Sequence, residues 1–128
     1  MKIATNTARI LLGLIFTVFG LNGFLHFLKM PPPTGQLAGQ YMGALFLSHY
    51  LVVVFLVQLV GGVLLLVNRY VPLALVLLGP VVVNIVLFHS TMAPEGLPLA
   101  LVATLLWLVV FAGERKAFTP IFQAKVAA

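Results

Sequence analysis

The groups in this chain with a capacity for chemistry are few: three histidines, a handful of amides and two acids. His26, His49 and His89 each stand at the end of an apolar run, and Asn22 precedes His26 by one helical turn. Gln58 stands just ahead of the pair Gly61-Gly62, and Asn84 follows Pro80 by one turn. Neutral imidazole is a common metal ligand, so the histidines suggest a metal or haem site. No HxxxH or HExxH pair occurs, however, and such a site would take its geometry entirely from tertiary packing. A quinone or a lipid headgroup is a second reading, with His and Asn as hydrogen-bond partners beside Phe24, Phe27, Phe46, Phe88 or Tyr41. A third is plainer: histidines at helix ends lie at an interface, and the amides tie helices together. The candidate ligand-binding set is therefore Asn22, His26, Gln58, Asn84 and His89, with quinone as the one cofactor it suggests.

Other chemistries lack their residues. The chain has no cysteine, which excludes disulfides, iron–sulfur clusters and CxxC redox chemistry within it. There is no glycine-rich phosphate loop and no nucleophile elbow, and Glu95 and Glu114 form no carboxylate pair. No catalytic or metal-binding residue is assigned, and catalysis by this chain alone has little support.

The elements that must position these groups are set by apolarity. Of 128 residues 62% are hydrophobic and 7% charged, against about a quarter charged in a soluble domain. Too few polar residues remain to cover a surface in water, so the solvent is a bilayer. Unbroken apolar runs in lipid are helices, since only helices and closed barrels satisfy every backbone group there and barrel strands alternate. Spans are expected over about 8–28, 50–67, 72–91 and 98–113, in one domain covering 1–128. The first is longer than a signal-peptide core and ends without a small-residue cleavage site, so it reads as a retained helix. Pro31-Pro32-Pro33 stops it, because proline fixes φ and donates no hydrogen bond. A short interfacial helix is expected over about 36–47, and Pro80 should kink the third span. The fold class is all-α: an integral membrane four-helix bundle with a short extra helix in the first outer loop.

Charge sets the orientation. Lys2, Arg9, Arg69, Arg115, Lys116 and Lys125 fall on one side of this topology and only Lys29 on the other. Basic residues concentrate in cytoplasmic loops, so both termini are expected in the cytoplasm. The same scatter over helix ends and turns, without a stripe, argues against a nucleic-acid partner. His26, His49, His89 and Glu95 then share the outer end, with Asn22 and Asn84 a turn deeper.

In lipid, helices associate through close packing and polar contacts. Gly13, Thr17 and Gly20 give the first span a small-residue face, Gly61 and Gly62 the second, and Ala100, Ala103 and Thr104 the fourth. Asn22 and His26 share another face of the first span, and the buried cost of amides places Gln58 and Asn84 toward the interior.

The run from Arg9 to Phe16 with Gly20-Leu21-Asn22, the stretch Gln58 to Leu66 around Gly61-Gly62, and the turn Asn68-Arg69 resemble the DoxX and DoxX-like family of small bacterial membrane proteins. The likeness covers most of the chain. It implies four helices in the bacterial cytoplasmic membrane with both termini inside. It also implies a place beside other membrane subunits, as in thiosulfate:quinone oxidoreductase and complexes handling thiol and oxidative stress. Many relatives place Lys where this chain has Gly23 and Glu where it has Gln58. Without those titratable groups, an accessory role in a membrane redox complex is the leading expectation. A quinone-interacting oxidoreductase subunit is the alternative, and a small lipid or solute carrier the third.

Overall fold

A computed structural model describes residues 2–126. Its helices are α1 (Lys2–Leu25), α2 (Gln36–Leu47), α3 (Tyr50–Val67), α4 (Val71–Thr91) and α5 (Leu97–Gly113). Two 3-10 segments, Pro94–Gly96 and Arg115–Phe122, precede and follow α5. No strand occurs among the described residues. Four stretches are long and apolar enough to cross a membrane: α1, α3, α4 and Pro94–Gly113.

The first helix is displaced from its expected bounds, beginning at Lys2 and ending at Leu25 rather than near residue 28. Its stop is local. His26 turns left-handed at φ 53° while its N–H still bonds the Asn22 carbonyl at 2.9 Å. The Asn22 side-chain oxygen then accepts the Leu28 N–H at 2.7 Å, closing the turn ahead of the prolines. Between α2 and α3 the break is equally compact. Ser48 Oγ donates to the Leu45 carbonyl and accepts the Tyr50 N–H, both at 3.3 Å, and His49 takes φ 63°.

The four long helices form a ring in which α1 and α4 each lie against α3 and α5. Leu12, Phe16, Leu65, Leu75, Leu78 and Val110 fill its centre. The closest seam is between α1 and α3. A Cβ at Gly62 would stand 2.6 Å from the Thr17 nitrogen, and one at Gly20 would stand 2.9 Å from the Leu59 nitrogen. Gly61 faces the other way, where a Cβ would meet Leu78 of α4 at 2.6 Å. The adjacent glycines thus let α3 approach a different neighbour on each side, and the close approach is the source of packing attraction in lipid.

Trp107 joins α5 to α4, donating from Nε1 to the Leu75 carbonyl at 3.1 Å. Its ring stacks on Phe111 at 5.3 Å, and Phe111 packs on Phe118 at 4.8 Å. Phe118 is buried, so the segment after α5 folds back under the bundle instead of trailing away. At the opposite end α2 rests against α3, with Tyr41 5.4 Å from Phe88 of α4.

Candidate functional site

Helix direction divides the polar groups between two ends. The turns carrying His26, His49 and His89 lie at one end, here the histidine end. The start of α1, the α3–α4 turn and the close of α5 meet at the other: Lys2, Thr5, Asn6, Asn68, Gly113, Glu114 and Arg115 line one cleft there. This is the basic end.

At the histidine end the five sequence candidates do not assemble. Asn22 is committed to its own loop through Leu28 N–H, and its amide nitrogen points to Met30 Sδ at 3.7 Å. His26 lies past the end of α1 and is exposed, so it does not share a helix face with Asn22 as the spacing suggests. The left-handed turn carries its ring out of the helical register. His89 is half-buried, and its Nδ1 donates to the Ala93 carbonyl at 3.1 Å, since a carbonyl can only accept. Phe88 meets this ring edge-on at 5.1 Å, and the Gly96 backbone lies against it. The imidazole therefore ties the α4–α5 connection.

The two amides within the spans part company. Gln58 is 7% exposed and lies inside the bundle, as its place beside the glycine pair suggests. Asn84 does not face inward; it is exposed on the outside of α4. Its Nδ2 donates at 2.8 Å to the Pro80 carbonyl in its own helix. A side-chain bond to the preceding turn offsets part of the amide's desolvation without any neighbouring helix, and residue spacing carries no sign of it. Among the described residues no hydrogen bond joins one candidate to another. No group of three His, Asp or Glu there could hold a metal ion.

The charged group whose surroundings the sequence does not show is Arg9. Expected as one of the orienting charges at the ends of the runs, it is 9% exposed, within α1 and one turn above Thr5. Its Nη1 donates to the Leu65 carbonyl, near the end of α3 where the helix dipole is negative. Its Nε is buried without a partner, as is Thr17 Oγ1 two turns further along. The apolar flanks Ala8 and Ile10 carry no sign of this; the partner is 56 residues away.

No family model, curated protein or solved structure matches this chain. Its site must be read from its own residues. What the arrangement offers is an exposed amide within an apolar helix, a clamped arginine at the seam of α1 and α3, and a polar cleft at the basic end.

Proposed function

We propose that this chain is a multi-pass, DoxX-like membrane protein acting as a non-catalytic accessory subunit beside a larger redox or electron-transfer complex. Asn84 carries the reading. A polar amide inside a membrane helix normally turns toward other protein, because lipid offers it no hydrogen bond. Here Asn84 is exposed, and its one hydrogen bond runs to the Pro80 carbonyl of its own helix, with Val83 and Leu87 exposed beside it on α4. A neighbouring subunit packed along this face of α4 would satisfy the rest of the amide, as interhelical amides do in membrane assemblies. The redox setting comes from the family resemblance, and the bacterial inner membrane with both termini inside follows from it and from the charge bias. In this orientation α2 covers the outer end.

Asn84→Leu tests it. After extraction in mild detergent, the wild type should migrate with a larger membrane complex, and the variant should separate from it while keeping its own thermal transition. A variant that stays associated defeats the reading. A quinone-binding role replaces it if purified protein carries quinone that both His26→Ala and His89→Ala release.

A further inference from the structure

The basic end holds groups that the accessory role leaves unused. Lys2, Thr5 and Asn6 from the start of α1, Asn68 from the α3–α4 turn, and Gly113, Glu114 and Arg115 from the close of α5 line an open cleft of about 560 Å³. A second cleft shares Gly113, Glu114 and Arg115 and adds Lys116. Three cations face one acid across the pair, and neutral donors from two separate elements stand among them. Beyond Phe118, six and seven residues after Arg115, the chain exposes Ile121 and Phe122, 64% and 78% accessible. Large apolar groups in the same segment as lysine and arginine, past the end of a span, suit the boundary between headgroups and acyl chains.

We infer that this cleft binds the phosphate headgroup of an anionic lipid, with Lys2 and Arg115 meeting the charge, Asn6 and Asn68 donating to its oxygens, and Ile121 and Phe122 seated among the acyl chains. The inference rests on the bundle crossing a bilayer, and it is separate from the histidine end. Arginine suits the role because its planar fork matches phosphate geometry. Basic pockets between helix ends on one membrane face are favourable sites for such headgroups. Glu114 limits the net charge, so recognition depends on the placed donors as well as on attraction at a distance.

The test uses the full chain in vesicles of phosphatidylcholine alone and of phosphatidylcholine mixed equally with phosphatidylglycerol, measuring lipid retained after detergent extraction. A basic group in direct contact with the bound headgroup, worth about 1 kcal/mol, gives about a fivefold preference. Lys2→Gln with Arg115→Gln should therefore lower phosphatidylglycerol retention roughly 25-fold. Asn6→Ala, which changes no charge, should lower it roughly threefold through one lost hydrogen bond. Lys125→Gln, which removes charge outside the cleft, should leave it within about twofold. Equal loss per charge for Lys125→Gln, with none for Asn6→Ala, means a diffuse field and overturns the site. Displacement of the lipid by inorganic phosphate at low concentration identifies free phosphate as the ligand and overturns the lipid assignment. Protein that fails to enter the vesicles refutes the membrane reading itself, whereas inserted protein with unchanged retention refutes only the cleft.

Discussion

Arg9 shows how far a single residue's role depends on what folds against it. Its guanidinium is out of solvent, donates to the Leu65 carbonyl, and leaves Nε unpaired. A charge-assisted bond of this type contributes about 1.5–3 kcal/mol. Arg9→Ala loses that bond and the packing of the long side chain, so it should destabilise the bundle by about 2–3 kcal/mol. Unfolding in mixed micelles would measure the loss, and an unchanged transition would show that the desolvation cost already cancels the bond. The histidines behave differently. His26 and His49 both hold positive φ, which costs an L residue roughly 1–2 kcal/mol relative to glycine. His49→Gly should accordingly raise stability by about 0.5–1 kcal/mol after the entropy of glycine in the unfolded chain is charged against it. A marked drop would mean that the imidazole makes contacts worth more than the backbone strain. None of this was visible in residue type. Histidine at a run's end reads as a ligand or, more readily, as an interface residue, and the left-handed turn at His26 and His49 is disclosed only by backbone geometry.

Elements were the most legible scale, for reasons that particular residues make plain. The Asn68-Arg69 turn and the glycine pair are strong local signals, and they fall at a helix connection and a helix seam, whereas the tripled proline lies in the loop beyond a helix that has already ended at Leu25. The seam's direction was less legible. Gly61 and Gly62 look alike in sequence, yet one faces Leu78 and the other the backbone of Thr17. Gly62→Ala would drive a methyl into a main-chain nitrogen, which cannot swing aside as a side chain can. It should cost at least about 2 kcal/mol and separate α1 from α3. Gly43 on α2 has nothing within 4 Å of its missing Cβ, so Gly43→Ala should stabilise by up to about 1 kcal/mol from helix propensity alone. Thermal melts of both variants in one detergent make the comparison. Equal effects would mean that the α1–α3 approach is looser than its geometry implies. The first helix's bounds escaped sequence reasoning for a related cause: its end is made by Asn22 reaching forward to Leu28, a capping contact with no periodic signature.

At the scale of the molecule, the two ends of the bundle differ in charge, and that difference bears on which compartment each end faces. The turns and termini at the basic end include Lys2, Arg69, Arg115 and Lys116, while the histidine end has Lys29 as its sole lysine or arginine. Moving several cations across a membrane that is negative inside is opposed by its potential, at about 2.3 kcal/mol per charge per 100 mV. The asymmetry of the ends therefore favours one insertion strongly. The absence of native cysteine makes this directly measurable, because a single introduced thiol is the only one present. Cysteine placed at Asn6, at Arg69 or at Gln123 should resist a membrane-impermeant maleimide in intact cells and react after permeabilisation. Cysteine at Thr34 should react in both. If Asn6 and Gln123 fall on opposite sides, one of the four apolar helices does not cross. Since α1 and α5 pack side by side in a closed ring, such a result would also unseat Asn84 from its outward face and disperse the cleft that the two helices share.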